Sequence, residues 1–482
     1  MKKNKKKALP STTKRNKEVY MIAYAFIILF LGMCAFMICF IVNVDDSLLS
    51  NSYNNARIEE KAKKIIRGNI LTSDHTVIAT TKQEEGEEKR FYPYENMFAH
   101  AVGYRAKVST GLEELASYYI LESNASLEEK IEMEFLNQRA QGNHLVTTLD
   151  FQLQKTAYEA LGDRKGAIVA IEPSTGKILA MVSKPDYNPN DIADILANIE
   201  NYQGEDSFLV NRVTAGKYPP GSTFKLVTTL AYMRENPTDF ESFHFLCEGS
   251  FTLNNLPTIN CSENAVHGTL TLPQTLQRSC NCAFAFIGQA LNNKTFMQLG
   301  KDLLFDSEIN MHNTVFKSTL PITNESNEWD RMMASIGQGK TVMSPLHNLM
   351  ITSAIVNNGI MMKPYLMDEV MDAKGNVVET FESEKLKQVM SKEEATVLRE
   401  YMISVVSDGT GYLAQGENYQ SGGKTGSAQY NNVQGETHAW FVGFAPAENP
   451  TIAVCVIVEG GGSGGLTAAP IAKQMFDAYL LR

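Results

Sequence analysis

A run of twenty-four uncharged residues, 19–42, limits the folds open to this chain. An apolar helix needs about 20 residues to cross the hydrocarbon core of a bilayer. A cleaved signal peptide is the alternative, but the run exceeds the usual apolar region of such peptides, and Asn43-Val44-Asp45-Asp46 follows it instead of a small-x-small cleavage site. We therefore predict one transmembrane helix over residues 19–42.

Charge is distributed unevenly around this run. Residues 1–18 contain eight Lys or Arg and one Glu, and because the whole chain carries a formal net charge of −10, the remaining residues sum to about −17. Basic segments beside a membrane span stay on the cytoplasmic side, which predicts a cytoplasmic tail and an extracytoplasmic remainder. The acidic remainder disfavours binding to nucleic acid.

The residues after the span divide into two regions of different character. Residues 43–143 are polar, with an acidic patch at 84–88, and they combine two short predicted strands with a predicted helix at 127–138. This composition indicates a small α+β pedestal near the membrane. From residue 144 to 482 the chain alternates long apolar segments with turns, which is typical of a compact catalytic domain.

Paired apolar strands predict the core of that domain. Residues 167–171 and 178–182 form one predicted antiparallel hairpin, and residues 439–444 and 452–458 form a second one near the other end of the chain. Helices are predicted at 151–161, with Asp150 as N-cap, and at 467–481. Together they favour an α+β class, with one antiparallel sheet flanked by helices and an all-helical lobe beside it.

The segment Tyr218-Pro219-Pro220-Gly221-Ser222 marks a sharp change of backbone direction. Two prolines cannot continue a strand ladder, and an apolar helical pattern begins directly after Ser222. Lys225 follows one turn later, so a hydroxyl and an amine share the helix N-terminus, where the amine can accept the proton of the hydroxyl. Three other Ser-x-x-Lys matches, at 11–14, 174–177 and 421–424, open no apolar helix.

Two short motifs add polar groups to this serine. Ser279-Cys280-Asn281 follows a predicted helix and offers a hydroxyl and an amide two positions apart. Residues 421–427 form a predicted Gly-rich strand, in which Lys424, Thr425 and Ser427 can bind a carboxylate and the glycines allow close approach of a substrate backbone. A phosphate-binding loop is disfavoured, because the G-x-x-x-x-G spacing and the following helix are missing.

Cysteine positions suggest a covalent crosslink. Cys247 and Cys261 flank residues 254–257, whose Asn-Asn-Leu-Pro sequence favours a hairpin that brings the two cysteines together. In an extracytoplasmic domain we expect a disulfide between them. A zinc site is the alternative, disfavoured because Cys280-x-Cys282 lacks a second pair at ligand spacing.

Taken in order, Ser222-x-x-Lys225, Ser279-x-Asn281 and Lys424-Thr425-Gly426 resemble the active-site signature of penicillin-binding proteins and serine β-lactamases. Several flanking segments resemble the class B penicillin-binding proteins in particular: residues 166–170, 218–221, 335–339, 344–345 and 440–444. The sequence departs from that family after Arg67-Gly68-Asn69-Ile70, where Asp-Arg-x-Gly is usual and residues 71–75 read Leu-Thr-Ser-Asp-His. Ser427 and Gln429 also replace the more common Thr and Glu.

The resemblance implies a β-lactamase-like transpeptidase domain and a D,D-transpeptidase that crosslinks peptidoglycan. Ser222 is expected to attack the penultimate D-alanine, with Lys225 as general base if nearby Lys424 lowers its pKa, and Ser279 to relay the proton to the leaving amine. The implied catalytic residues are Ser222, Lys225, Ser279 and Lys424, and the implied substrate-binding residues are Asn281, Thr425, Gly426 and Ser427.

The resemblance also implies partners. Expected ligands are stem peptides ending in D-Ala-D-Ala and β-lactams, without a cofactor or a metal. No segment before Ser222 has room for a glycosyltransferase domain besides the pedestal, so we expect a SEDS-type glycosyltransferase to polymerise the glycan. The rival interpretations are a class D-like β-lactamase, a membrane-anchored β-lactam sensor and a catalytically silent scaffold, the last disfavoured because every motif position is filled.

Overall fold

The computed structural model describes residues 12–43, 55–84, 87–106, 108–202, 207–311, 314–430 and 436–482. The chain divides into two compact units, Met1–Asn54 and Asn55–Arg482. In the first unit, helix α1 spans Thr12–Asn43, and its segment Val19–Cys39 is long and apolar enough to cross a membrane. The predicted span at 19–42 therefore lies within one continuous helix.

In the second unit we call residues 55–143 the membrane-proximal part and residues 144–482 the catalytic part, after the sequence-based prediction. The helices are α2 Asn55–Lys64, α3 Ala99–Val102, α4 Gly111–Leu115, α5 Ser117–Ile120, α6 Leu127–Phe135, α7 Phe151–Leu161, α8 Ile192–Ala197, α9 Arg212–Ala215, α10 Lys225–Glu235, α11 Leu272–Gln277, α12 Asn281–Ala290, α13 Asn293–Asp302, α14 Glu328–Ser335, α15 Pro345–Val356, α16 Lys392–Ser407 and α17 Ala469–Leu480.

Two sheets of five and six strands dominate this unit, with five two-stranded ladders around them among the described residues. The strands are β1 Ile65–Ile66, β2 Ile70–Leu71, β3 Val77–Glu84, β4 Glu87–Phe91, β5 Ala140–Gln141, β6 His144–Thr147, β7 Gly166–Ile171, β8 Ile178–Lys184, β9 His244–Cys247, β10 Ser250–Phe251, β11 Ile259–Asn260, β12 Gly268–Thr271, β13 Ile309–Met311, β14 Thr314–Phe316, β15 Ile360–Met362, β16 Met367–Met371, β17 Val377–Thr380, β18 Lys385–Gln388, β19 Gly422–Gln429, β20 Thr437–Ala445 and β21 Ile452–Val458.

The five-stranded sheet has the order β19-β20-β21-β7-β8, and every neighbouring pair is antiparallel. Both predicted hairpins, β7–β8 and β20–β21, are confirmed. Helices α7 and α17 pack on one face, and α7 begins after Asp150, whose side chain accepts a hydrogen bond from the Leu153 amide as predicted. The sheet ends at β19, so one edge of that strand has no strand partner among the described residues.

Helix α15 packs on the opposite face of this sheet. Residues 345–355 are all buried, so this helix is enclosed around its whole circumference, although it includes polar residues such as His347 and Asn348. A helical lobe lies beyond it, in which α10 is buried among α12, α13, α14 and α16. The predicted combination of a flanked antiparallel sheet and a helical lobe is confirmed.

The six-stranded sheet has the order β17-β16-β6-β2-β3-β4. Strands β2 to β4 come from the membrane-proximal part, β6 begins at residue 144, and β16 and β17 come from residues 367–380 of the catalytic part. Strand β6 pairs with β2 on one side and with β16 on the other. The membrane-proximal part and the catalytic part therefore share one sheet.

A buried ion triad holds the membrane-proximal part together. Glu113 is fully buried on α4 and accepts from Arg90 Nε at 2.6 Å and from Arg67 Nη1 at 3.4 Å, and Arg67 also donates to Ser117 Oγ. A buried carboxylate is stable when its charge is balanced in this way. The changed sequence at residues 71–75 lies outside the triad and forms the β2–β3 turn, closed by a bond from the Thr72 amide to the Thr76 carbonyl.

The predicted hairpin near Cys247 is present, but the predicted disulfide is not. Strands β10 and β11 pair antiparallel as Ser250↔Asn260 and Phe251↔Ile259. Cys247 and Cys261 are both free thiols, with their sulfur atoms 3.7 Å apart. The hairpin folds onto the start of α12, and the Cys261 sulfur therefore lies nearer to the Cys282 sulfur, at 3.4 Å. Cys261 is thus surrounded by several thiols instead of being paired with Cys247 alone.

Candidate active site

Ser222 lies in a single 3-10 turn, Gly221–Phe224, that continues directly into α10. The predicted helix start at Ser222 is therefore confirmed, although its first turn is tighter than an α-helix. Trp440 Nε1 donates to the Pro219 carbonyl at 3.1 Å, and the Tyr218 hydroxyl donates to Glu459 at 2.6 Å. These bonds fix the approach of the chain to the serine.

Two glycines fix the position of the Ser222 turn. Gly221 adopts φ +54°, and its amide donates to the Gly337 carbonyl at 2.9 Å. Gly337 adopts φ +70°, and a Cβ atom on it would lie 2.0 Å from the Gly221 carbonyl oxygen. Only glycine fits at residue 337, since it tolerates this left-handed backbone and leaves space for the neighbouring chain.

Lys225 is fully buried one turn after Ser222. Its Nζ atom donates to the Ser279 carbonyl at 2.7 Å, to Asn281 Oδ1 at 2.7 Å and to Ser279 Oγ at 3.3 Å. Burial lowers the pKa of Lys225 to about 8, because the low-dielectric interior disfavours the charged amine. The amine can therefore act as a proton acceptor near neutral pH.

Lys424 reaches the same hydroxyl from strand β19. Its Nζ atom lies 3.0 Å from Ser279 Oγ and 2.9 Å from the Thr425 carbonyl, and the side chain is fully buried. The pKa of Lys424 is well below its usual value because of burial and, secondly, the positive charge of Lys225. For Lys225 itself, burial is the main cause of the lowered pKa.

Ser279 connects the two amines. It lies between α11 and α12 with φ +52°, a left-handed conformation that is uncommon for serine. The turn is held by bonds from the Ser279 amide to Leu276 and from the Cys280 amide to Thr275. A hydroxyl between two amines can pass a proton from one to the other.

Asn281 begins α12, and hydrogen bonds to both the oxygen and the nitrogen of its side-chain amide orient the group. Its Oδ1 accepts from Lys225, and its Nδ2 donates to the Asn260 carbonyl at 3.0 Å. The second hydrogen of this amide makes no bond with any residue that the structure describes. Asn281 can therefore donate to a ligand without losing either contact.

Strand β19 supplies the remaining predicted residues. Thr425 is buried and shares a hydrogen bond of 2.6 Å with Thr410 Oγ1, whereas Ser427 is exposed and its Oγ accepts from the Gly464 amide. At Gly426 a Cβ atom would lie 3.1 Å from Thr223 Cγ2. Glycine at 426 thus lets the strand lie directly against the Ser222 turn.

The structure therefore brings the predicted residues into one site. Lys225, Ser279, Asn281 and Lys424 form a continuous hydrogen-bonded group, while the half-buried Ser222 makes no side-chain hydrogen bond within the described part of the chain. Its hydroxyl faces no competing partner at the start of the helix. This arrangement suits a serine nucleophile with a buried amine close in sequence.

Sequence reasoning missed two polar side chains, those of Thr410 and Asn348, and one backbone carbonyl, that of Asn260, which position this site. Thr410 binds Thr425, Asn348 Nδ2 donates to Thr223 Oγ1 at 2.9 Å, and Asn260 orients Asn281. Each acts over a long sequence separation, and an isolated polar residue gives no pattern. Only the turn composition Asp408-Gly409-Thr410-Gly411 indicated a tight backbone there.

Comparison with known proteins identifies the family. The sequence profile described as penicillin binding protein transpeptidase domain matches residues 166–477. The chain belongs to this family. A relative named peptidoglycan D,D-transpeptidase PbpA, from Mycolicibacterium smegmatis, is 31% identical over 447 residues, covering 86% of this chain and 89% of the relative.

Solved structures of other penicillin-binding proteins share the fold. The D,D-transpeptidase domain of a peptidoglycan glycosyltransferase from Eggerthella lenta is 31% identical, with a TM-score of 0.77 over 87% of this chain and 99% of that one. Penicillin-binding protein A from M. tuberculosis, solved as a penicillin G acyl-enzyme complex, is 29% identical, with a TM-score of 0.77 over 86% and 99% of the two chains. The chain thus has a penicillin-binding protein fold over nearly the whole length of both structures.

Proposed function

We propose that this chain is a peptidoglycan D,D-transpeptidase that forms an acyl-enzyme on Ser222. The observation that carries the proposal is the hydrogen-bonded group of Lys225, Ser279 and Lys424, which lies between the Ser222 helix and the edge strand β19. Membership of the penicillin-binding protein family and the PbpA relative support it.

In the first half-reaction, Ser222 Oγ attacks the carbonyl of the penultimate D-alanine, and neutral Lys225 takes its proton. The C–O ester bond forms and the peptide C–N bond breaks. The proton passes through Ser279 to the leaving D-alanine amine, and Lys225 returns to its neutral form. An amine from a second stem peptide then attacks the ester and releases Ser222, which completes the crosslink.

Substrate binding follows the free edge of β19. An extended peptide can add to this edge as a further strand, with Asn281 donating to its amide and with Thr425 and Ser427 holding the terminal carboxylate. We assign the oxyanion hole to the backbone N–H groups of Ser222 and Ser427. The same groups would bind a β-lactam, which resembles D-alanyl-D-alanine.

Labelling with penicillin tests this function. The full-length chain should form a penicilloyl adduct that lasts many minutes, because a transpeptidase excludes water until the acceptor amine arrives. Mass mapping should place the adduct on Ser222, and Ser222→Ala should form none. Rapid turnover of penicillin would instead indicate a β-lactamase, and an adduct that persists in Ser222→Ala would place the nucleophile elsewhere.

We also propose a topology with residues 1–18 in the cytoplasm, a single span at 19–42, the pedestal at 43–143 and the catalytic domain at 144–482 outside. The basic tail and the apolar segment of α1 support this orientation. Protease added to spheroplasts should digest nearly the whole chain. Protection of the residues after Asp45 would contradict the topology.

The glycan strands that this enzyme crosslinks must come from a polymerase. We propose a SEDS-type glycosyltransferase as that partner, on the basis of the family resemblance. Crosslinking the full-length chain in intact cells and identifying the captured membrane proteins tests this partner. Capture that never includes such a polymerase would contradict it.

A further inference from the structure

Four potential metal ligands converge beside the active site. Cys247, Cys261, His267 and Cys280 each offer one sulfur or nitrogen atom, and these four atoms all lie within 4.8 Å of one another. The three cysteines are buried and the imidazole is half-buried. We call this set the Cys3His cluster.

The spacing within the cluster fits coordination of one small ion. Cys247 Sγ lies 3.7 Å from Cys261 Sγ and 3.3 Å from His267 Nδ1, and Cys261 Sγ lies 3.7 Å from Cys280 Sγ. A tetrahedral zinc ion with Zn–S bonds of about 2.3 Å places sulfur ligands about 3.8 Å apart. The two sulfur–sulfur distances of 3.7 Å are close to that value and too long for a disulfide bond of about 2 Å.

The local fold around the cluster contains little regular structure. Residues 244–271 form only two small antiparallel ladders, β9 with β12 and β10 with β11, and Leu246 and Val266 in this segment are 61% and 70% exposed. Isolated two-stranded ladders are marginally stable in water. A bound metal can supply the missing stability, because binding to a folded site adds directly to folding free energy.

The cluster is joined to the active site through Cys280. This residue lies between Ser279 and Asn281, the two residues whose oxygen atoms accept hydrogen bonds from Lys225. Asn260, which orients the Asn281 amide, directly precedes Cys261. Two of the four ligands are therefore chain neighbours of residues that position the catalytic amine.

We propose that Cys247, Cys261, His267 and Cys280 bind one zinc ion, which fastens residues 244–271 to the start of α12 and so positions Ser279 and Asn281. Three thiolates and one imidazole in a tetrahedral arrangement select zinc among the common divalent ions. Four protein ligands fill the coordination sphere, which makes the ion structural. This proposal replaces the disulfide that the sequence favoured. Zinc binding is independent of the proposed function, and only its effect on acylation rests on that function.

Metal analysis of the detergent-solubilised full-length chain tests binding directly. Purified under reducing conditions, it should contain about one zinc ion per chain by elemental mass spectrometry. Cys247→Ser and His267→Ala should lose most of it, whereas His267→Cys, which restores a ligand, should keep it. Cys455→Ala is the matched control, because Cys455 is a buried thiol on β21 outside the cluster.

A chelator experiment on the unmodified chain, together with one variant, tests the positioning role. Removing zinc from the unmodified chain with 1,10-phenanthroline should slow penicillin acylation of Ser222 by at least about tenfold, and zinc chloride should restore the rate. Near-UV circular dichroism should show that the rest of the fold remains. His267→Cys should acylate at nearly the original rate, whereas a merely space-filling role for His267 predicts no such rescue.

Three results would overturn zinc binding by the cluster. A chain that contains no zinc and takes up none from zinc chloride under reducing conditions has no such site, and zinc that remains in His267→Ala is bound elsewhere. A Cys247–Cys261 disulfide found by mass mapping of the native chain would assign the cysteines to a crosslink. Zinc loss without any change in acylation would remove the positioning role, while failure of acylation in the zinc-loaded chain would count against the proposed function instead.

Discussion

As the proposed general base, Lys225 should make the acylation step depend on pH. The base must be neutral to accept a proton. Because burial lowers the pKa of Lys225 to about 8, its neutral fraction increases about tenfold for each unit by which the pH rises, as long as the pH stays below the pKa. We expect the rate of penicillin acylation to rise from pH 6 towards pH 8 and then to level off. Stopped-flow labelling across this range measures the profile, and a rate independent of pH would exclude Lys225 as the base.

Removal of the Lys225 amine should slow the same step strongly. General bases contribute roughly 100-fold to 10,000-fold to rates, so Lys225→Ala should lose at least about 100-fold in the acylation rate constant. Lys217 provides the control, since it is exposed on the segment that leads to Ser222. Lys217→Ala should acylate normally, and equal loss in both variants would indicate a general effect on the fold.

Thr410 should act through Thr425. Its hydroxyl shares a 2.6 Å hydrogen bond with Thr425 Oγ1, and loss of such a bond costs about 1 kcal/mol, or roughly fivefold. We expect Thr410→Val to raise the concentration of penicillin needed for half-maximal acylation by about that factor. Thr396→Val is the control, because Thr396 only bonds within α16. An unchanged concentration dependence in Thr410→Val would exclude this role.

At the scale of elements, the Ser222 turn packs against the segment after α14. This contact leaves no room for a side chain at Gly337. Gly337→Ala combines a left-handed backbone with a Cβ atom 2.0 Å from the Gly221 carbonyl oxygen, so it should cost about 2–4 kcal/mol and also slow acylation. Gly375 has φ +88° with no atom near its Cβ position, so Gly375→Ala should cost only about 1 kcal/mol. Thermal unfolding measures both, and equal losses would exclude the steric argument.

Local sequence patterns predicted the helices and strands better than the contacts between distant segments. The Asp150 cap and the apolar runs of β7, β8, β20 and β21 gave correct helices and strands, because capping and continuous apolar runs are features of a few neighbouring residues. The three motifs selected Lys225, Ser279 and Lys424, which form one hydrogen-bonded group, and Ser222 in the turn before the Lys225 helix. Thr410 and the Cys3His cluster were missed or misassigned, because contacts between distant segments depend on packing that no local pattern records.

For the whole molecule, the shared six-stranded sheet links the membrane-proximal part to catalysis. Strand β6 begins at residue 144 and pairs with β2, so a chain cut at that point would expose the edge of β6 and the buried faces around it. We expect a fragment of residues 144–482 to unfold at a lower temperature than a fragment of residues 55–482 and to aggregate. Differential scanning fluorimetry measures both unfolding temperatures. Equal temperatures would show that pairing with β2 does not stabilise residues 144–482.

The unpaired edge of β19 also affects how this protein behaves among other chains. A sheet edge that accepts an extended peptide as substrate offers the same row of N–H and C=O groups to any unfolded segment nearby. Gly422, Gly423 and Gly426 reduce the intrinsic strand propensity of β19, and the Ser222 turn lies against it at Gly426. These glycines should therefore also oppose self-association at this edge, so we expect their replacement to reduce solubility together with catalysis.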